Sequence, residues 1–319
     1  MNWNQLKSRY QTNLNIIFLL CIFLILPFVL PYTALATEVL IFSMAAMAFD
    51  FLLGYTGIMI FCQASFFGTG GYITALLIKN FNPNIFIIMF IASLGAAILG
   101  LLFGYMTTQR TGTYSALLTL AFNELIYFIA YQWKTFTGGS DGLGNIPRPN
   151  LEIPALLNIG LFSETRYYFF TVFFVILSFI ILLKITDSPF GRVLQGIREN
   201  EKRAAAIGYN VRLYQTIAFI ISAAYMGLAG SLFAMFNNFV DVSYVEFHTS
   251  AKILMIVLIG GMGTLYGSIL GSGIVVLTSD IANAYWERWP IILGAIFVAF
   301  VLFARGGVVG MIKKLNVRD

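Results

Sequence analysis

Long apolar runs are the feature that most limits how this chain can fold. Most of them are 17 to 25 residues long, which is the length a helix needs to cross about 30 Å of hydrocarbon. Only 10% of the 319 residues are charged, against about 25% in a soluble domain. Backbone polar groups inside a bilayer must be satisfied within the element, so these runs should be helices. The sequence therefore predicts an all-α integral membrane protein.

About ten spans are expected, forming one membrane domain over residues 1–319. The predicted spans are Leu14–Leu30, Leu35–Leu53, Gly57–Ile78, Ile85–Met106, Tyr114–Trp133, Tyr167–Ile185, Tyr214–Phe236, Ser250–Gly260, Leu265–Ser279 and Trp289–Ala304. Ser250–Gly260 is short for a full crossing. We interpret it as a half-helix that turns at Gly260–Gly263, as broken helices do when protein surrounds their exposed backbone.

The distribution of Lys and Arg predicts the orientation. With ten spans and the N-terminus inside, thirteen of the nineteen fall in cytoplasmic segments, as the positive-inside rule favours. Both termini are then cytoplasmic. The thirteen are Lys7, Arg9, Arg110, Lys184, Arg192, Arg198, Lys202, Arg203, Arg212, Arg305, Lys313, Lys314 and Arg318. We expect the first span to be retained rather than cleaved as a signal peptide, because its apolar stretch is long and another span follows at once.

Signatures of catalysis are weak in this sequence. A Walker nucleotide motif is absent, and His248 is the single histidine, which excludes a histidine-based metal cluster. Gly138–Gly142 matches G-x-S-x-G, but that motif requires a strand-to-helix elbow and a triad histidine. We therefore expect no enzyme activity, no metal and no cofactor bound by this chain.

Polar residues inside apolar spans are candidates for a transport pathway. Glu124 lies mid-span beside Asn123, and Asp50 lies toward the inner end of the second span. Such charges cost about 2.5–3.5 kcal/mol at the bilayer centre and mark functional sites. A structural hydrogen-bonding role for Glu124 is the equal alternative. The full candidate set is Gln63, Ser65, Gly68, Asn123, Glu124, Gly260 and Gly261.

Small residues recur at intervals of four, a spacing that lets helix backbones approach closely in lipid. The three sets are Ala96, Gly100 and Gly104; Ala223, Gly227 and Ser231; and Gly263, Gly267 and Gly271. Helix packing is the predicted role of all three.

One long polar stretch between spans, residues 187–213, is called the coupling segment below. Ser188-Pro189 is typical of a helix start, and Gly208 of a helix end. Val193, Leu194 and Ile197 form an apolar stripe at helical spacing, which favours docking into a groove on a partner. A solvated loop, or one lying on acidic lipid, is the alternative.

Four motifs in order resemble the branched-chain amino acid ABC transporter permeases, in particular their M-type (LivM-like) subunit. They are Gly54-Tyr55-Thr56-Gly57 with Gln63–Gly68 and Gly71-Tyr72; Thr137–Leu143; Ser188–Arg192 continuing through Arg198–Glu201 to Ala204-Ala205 and Gly208; and Leu258–Gly267. The resemblance covers nearly the whole chain.

This resemblance implies a type II ABC importer-like permease of a bacterial inner membrane. It implies three kinds of partner: a homologous H-type permease, two ATPase subunits that hold ATP and Mg, and a substrate-binding protein. The implied coupling residues are Gly191, Leu194, Ile197, Arg198, Glu199, Asn200, Ala204 and Gly208. Lys202 and Arg203 stand where the permease consensus has Glu and Ala, and Gln63 stands where many relatives have His.

Two other functions fit the same sequence. A urea or short-amide permease of this family would share every motif. An ion-coupled secondary transporter, with Asp50 and Glu124 as ion sites, would need no ATPase. Nucleic acid binding is not expected, because no basic cluster is interleaved with aromatics.

Overall fold

The computed structural model describes residues 23, 26–27, 30–81, 83–109, 112–148, 151–153, 157–160, 163–285, 289–303 and 306–316. The predicted span Leu14–Leu30 therefore falls largely outside the described residues. The helices are α1 Thr33–Thr56, α2 Gln63–Asn80, α3 Ile85–Thr107, α4 Thr113–Gln132, α5 Lys134–Thr137, α6 Glu164–Asp187, α7 Pro189–Glu199, α8 Glu201–Ala206, α9 Val211–Asn237, α10 Phe247–Gly260, α11 Leu265–Tyr285, α12 Trp289–Phe303 and α13 Gly307–Asn316.

Six of the described helices are long and apolar enough to cross a membrane, judged by length and composition: α1, α3, α4, α6, α9 and α11. The predicted integral membrane helical fold is confirmed at this level, but the count of about ten spans is not. Helices α2, α10 and α12 are shorter or less apolar than these six. Of the predicted third span, only the part from Gln63 onward is helical, because Gly57 adopts φ +76° and ends α1.

Four short strands depart from a purely helical fold. They are β1 Leu143–Gly144, β2 Leu151–Ile153, β3 Leu157–Ile159 and β4 Phe239–Val240. Strand β1 pairs antiparallel with β4, and β2 pairs antiparallel with β3. The Thr137–Leu143 motif is thereby joined to the segment that follows α9.

Helices α1 and α9 form the centre of the bundle. Nearly every residue of α1 from Leu35 onward is buried, and α9 packs against α1, α2 and α3. The hydroxyl of Ser222 on α9 donates to the carbonyl oxygen of Ala48 on α1 at 2.6 Å. Buried hydrogen bonds from a hydroxyl to a backbone carbonyl satisfy polar groups where no water is present.

The predicted small-residue stripes are close-packing surfaces. A Cβ added to Gly100 on α3 would lie 2.5 Å from the Cβ of Ala223 on α9, and one on Gly227 would lie 2.4 Å from that of Ala96. Helices α10 and α11 meet in the same way, where a Cβ on Gly260 would lie 2.0 Å from the carbonyl oxygen of Gly267. The prediction that these residues serve helix packing is confirmed.

Helix α10 is a short helix beside α1. Lys252 forms an ion pair with Glu38 near the start of α1 at 3.0 Å, and Gly263 contacts Asp50 near its end. The two helices therefore run in the same direction. Helix α10 has 14 residues and ends where Gly261 adopts φ +118°, as the predicted half-helix does.

Candidate functional site

The coupling segment folds as two short helices, as its start and stop signals predict. The side chain of Ser188 caps α7 by accepting from the backbone N–H of Gly191 at 3.4 Å, with Pro189 in the first turn. Asn200 follows α7 directly, and its side chain caps α8 by accepting from the N–H of Arg203 at 2.9 Å. Local capping chemistry alone accounts for both helix starts.

Gly208 ends the second helix in a Schellman motif. Its φ is +96°, and its N–H donates to the carbonyl oxygen of Ala205 at 3.0 Å. The N–H of Tyr209 donates to the carbonyl oxygen of Ala204 at 3.2 Å. These two bonds define the motif and satisfy carbonyls that a helix end leaves free. The predicted C-terminal cap is confirmed.

Leu194 and Ile197 of the apolar stripe face the protein's own bundle, so the expectation that they fill a groove on a partner is wrong. Val193 is half-buried and lines the open side of α7. Leu194 is fully buried and Ile197 is 2% exposed. Ile197 packs with Ala204 and Val211, while Gly191 lies so close to α6 that an added Cβ would be 2.2 Å from the carbonyl oxygen of Thr186. These apolar side chains are removed from water by packing against α1, α6 and α9, so they do not need a partner to cover them.

The opposite face of the helix pair is open and concave. A cavity of about 400 Å³ lies between α7 and α8, which we call the docking groove. Its walls combine cationic, polar and apolar side chains, and Ile207 at its edge is 70% exposed. The groove is lined by Pro189, Arg192, Val193, Gly196, Glu199, Asn200, Arg203, Ala204, Ile207 and Tyr209.

Arg198 points away from that groove. Its guanidinium donates a hydrogen bond from Nη1 to the carbonyl oxygen of Gly54, near the end of α1. One turn earlier in α1, Oδ1 of the buried Asp50 accepts from the N–H of Gly263 at 2.7 Å. The coupling segment, the end of α1 and the Gly261–Gly263 turn, called the glycine turn below, therefore meet at one place.

Three of the four sequence motifs converge there, which the sequence did not indicate. Asp50 and Arg198 were singled out separately, as an acid inside a span and as a coupling residue. A buried carboxylate needs a polar or cationic partner, and this requirement is the sequence clue that Asp50 has such a partner. It could not identify which of the cations would lie nearby.

Four of the candidate pathway residues are tied into local packing around the start of α2. Asn123 accepts from the N–H and the hydroxyl of Ser65 at 3.2 and 3.0 Å and donates to the carbonyl oxygen of Val245 at 3.1 Å. Gln63 donates to the carbonyl oxygen of Ile60 at 2.8 Å. Gly68 allows close contact with Val245. These bonds join α2, α4 and the turn before α10.

The other three candidates lie apart from that group. Gly260 and Gly261 belong to the contact between α10, α11 and α13, where a Cβ on Gly261 would lie 2.7 Å from the carbonyl oxygen of Gly306. Glu124 is exposed on the outer face of α4 and forms no hydrogen bond or ion pair with another described residue. Within the described part of the chain it does not bond to a neighbouring helix, and such a bond is what its structural interpretation requires.

A second cavity, of about 590 Å³, opens at the end of the bundle that carries the coupling segment. It lies between the Gly57–Phe61 stretch, the start of α4 and the end of α7. Thr107 and Ser115 line it, and their buried hydroxyls have no hydrogen-bond partner in the described part of the chain. No group of three His, Cys, Asp or Glu side chains within the described residues could hold a metal ion.

A polytopic helical bundle with polar residues in its spans, and with a capped helix pair at one end, fits a membrane permease. The chain belongs to the family described as the permease component of branched-chain amino acid transport systems, whose model matches residues 32–304.

Curated relatives agree with this assignment. The chain is 28% identical to the high-affinity branched-chain amino acid transport system permease protein LivM of Escherichia coli (strain K12), over 88% of this chain and 70% of that protein. It is 25% identical to the probable LivM protein of Methanocaldococcus jannaschii, over 75% of this chain and 73% of that protein. The LivH protein of Escherichia coli (strain K12) is 26% identical over 42% of this chain and 46% of LivH. No solved structure matches the chain significantly.

Proposed function

We propose that this chain is the LivM-type permease subunit of an ABC importer that moves branched-chain amino acids across a bacterial cytoplasmic membrane. The observation that carries the proposal is the family match over residues 32–304, together with relatives named as permeases of high-affinity branched-chain amino acid transport. The chain has no nucleotide motif of its own, so energy for uptake comes from partner ATPase subunits that bind ATP and Mg.

The ATPase docks on the groove between α7 and α8. This groove is the open face of the capped helix pair α7 and α8. Arg192 and Arg203 on the groove favour an acidic partner surface, and exposed Ile207 supplies an apolar anchor at its edge. Buried Leu194 and Ile197 act by holding the helix pair against the bundle.

The second permease covers the outer face of α4. Most residues of this helix are exposed or half-buried within the chain although the helix is apolar, and Glu124 is exposed at mid-length. A carboxylate at that depth is costly in lipid and normally faces protein or a water-filled path. Similarity to both LivM and LivH proteins supports a pair of homologous permeases. In this arrangement Glu124 lies beside the path between them.

The decisive experiment is transport by the complete complex in proteoliposomes. Permease, second permease, ATPases and binding protein are reconstituted, and uptake of labelled leucine, valine and urea is measured with internal or external ATP. ATP-dependent uptake of leucine and valine supports the proposal, whereas urea uptake alone would assign the chain to a urea permease. Uptake by the isolated chain, driven by an ion gradient without ATP, would overturn the ABC assignment.

A further inference from the structure

Three segments that are distant in sequence meet around one arginine. Arg198, at the end of α7, donates from Nη1 to the carbonyl oxygen of Gly54. A Cβ added to Gly263 would lie 3.2 Å from that same Nη1 and 3.4 Å from the carbonyl oxygen of Gly54. The guanidinium is therefore packed against both the end of α1 and the glycine turn.

Asp50 holds the other side of this contact. Its Oδ1 accepts from the N–H of Gly263 at 2.7 Å, while its Oδ2 is buried and accepts no hydrogen bond from the residues that the structure describes. Arg198 attracts this carboxylate electrostatically without forming a direct ion pair with it. A buried acceptor without a partner is costly, so a hydrogen bond from the guanidinium to Oδ2 would be favourable if the two groups approached each other.

The surrounding backbone has almost no space for side chains but can change conformation. A Cβ on Gly54 would lie 2.5 Å from the backbone nitrogen of Gly263 and 2.6 Å from Oδ1 of Asp50. Gly261 and Gly263 adopt φ of +118° and +77°, a region that glycine enters without strain. Small displacements of Arg198 would therefore displace the glycine turn that it contacts. The glycines of that turn can change their backbone conformation in response.

We propose that Arg198 is a positioning residue that transmits movement of the coupling segment to the glycine turn between α10 and α11. This inference rests on the proposed function, because the movement comes from an ATPase on the docking groove. The ATPase would push on the outer face of α7. Arg198 does not line the docking groove, and it transmits this displacement to the glycine turn. Arginine suits the task because its planar guanidinium can bond a carbonyl and interact with a carboxylate at once, which a lysine ammonium does less well.

The test follows the glycine turn with a chemical probe. Met262, in the turn, is 47% exposed and can be replaced by cysteine in a background that lacks Cys21 and Cys62. The complete complex is reconstituted, and the rate of thiol labelling at position 262 is measured with and without ATP. We expect the rate to change at least threefold with ATP, and this ratio to fall to near one in Arg198→Gln at wild-type yield of the complex.

Arg212→Gln is the matched control. Arg212 is also an exposed arginine at this end of the bundle, on the first turn of α9, and it contacts neither Gly54 nor the glycine turn. It should keep the wild-type ratio. If Arg198→Gln fails to assemble, Arg198→Lys keeps the charge and is expected to lose more than half of the response.

Two results would overturn the inference about Arg198. One is a wild-type ratio in the assembled Arg198→Gln variant. The other is ATP-driven uptake without any labelling response in the Met262→Cys complex that retains Arg198. Loss of ATP-driven amino acid uptake by the unmodified complex is a different result. It would contradict the proposed function itself, so the two failures are distinguishable.

Discussion

The guanidinium of Arg198 donates to the carbonyl oxygen of Gly54 although 144 positions separate the two residues. This bond joins the end of α7 to the end of the most buried helix of the bundle. It also lies beside the bond between Asp50 and Gly263. The end of the bundle that carries the coupling segment is therefore built around a few polar contacts among glycines.

Gly54→Ala should destabilise the protein. Its Cβ would lie 2.5 Å from the nitrogen of Gly263, so the contact between α1 and the glycine turn must open. Overpacking of this kind costs about 1–3 kcal/mol. The thermal unfolding midpoint of the purified protein should fall. Gly273→Ala is the control, since nothing lies within 4 Å of its added Cβ. Equal midpoints for the two variants would contradict the packing described here.

Leu194→Ala and Ile207→Glu should separate stability from docking. Leu194 is fully buried, so truncation should cost about 2–5 kcal/mol of permease stability. Ile207 is 70% exposed, so its substitution should leave stability unchanged. Ile207→Glu should instead weaken ATPase association by about thirtyfold, the equivalent of 2 kcal/mol.

Co-purification of the ATPase and thermal unfolding measure these two effects. Exposed Gln195, which does not line the docking groove, provides the control as Gln195→Ala. ATPase binding at wild-type affinity by Ile207→Glu would exclude the groove as the docking surface.

Glu124→Gln should lower uptake by about tenfold while the two permeases still co-purify. The amide keeps the shape and the hydrogen-bonding capacity of the side chain but removes the charge, and tenfold corresponds to 1.4 kcal/mol. Uptake of labelled leucine at equal complex yield is the measurement. Glu164→Gln is the control, because Glu164 is exposed in the first turn of α6. Unchanged uptake would leave Glu124 without a role in the path.

Gly208→Ala should be destabilising where Gly196→Ala is not. Gly208 adopts φ +96° at the end of α8, where any Cβ is strained at a cost of about 1–3 kcal/mol. Gly196 lies inside α7 with nothing within 4 Å of an added Cβ, and alanine there should add about 0.5–1 kcal/mol. The measurement is thermal unfolding of the purified protein, a readout that does not depend on docking at the groove that Gly196 lines. The reverse order of stabilities would mean that the Schellman motif contributes nothing.

The orientation can be tested with single cysteines in a background lacking Cys21 and Cys62. Ser140 and Asn200 are both exposed, so labelling at either position reports the side of the membrane. A cysteine at Ser140 should react with an impermeant reagent from outside intact cells. One at Asn200 should react after the membrane is opened, because the distribution of Lys and Arg places the coupling segment inside. The opposite pattern would invert the topology.

Local chemistry made much of this protein predictable from sequence. Spans follow from the length of apolar runs, and the bounds of α3, Ile85–Thr107, differ little from the predicted Ile85–Met106. Ser188, Pro189 and Gly208 define the limits of the helix pair because capping depends on neighbouring residues. The small-residue stripes indicated packing because their spacing follows the helix period.

Only the tertiary structure decided what the residues of each sequence pattern contact. The stripe of Leu194 and Ile197 is equally suited to a partner and to the protein's own bundle, and only the packing of α7 on the bundle assigned it inward. The sequence identified Asp50 and Arg198 as unusual, but it could not bring them to one site. Helix periodicity reports a few neighbouring residues, whereas contacts across 144 positions depend on how whole helices pack.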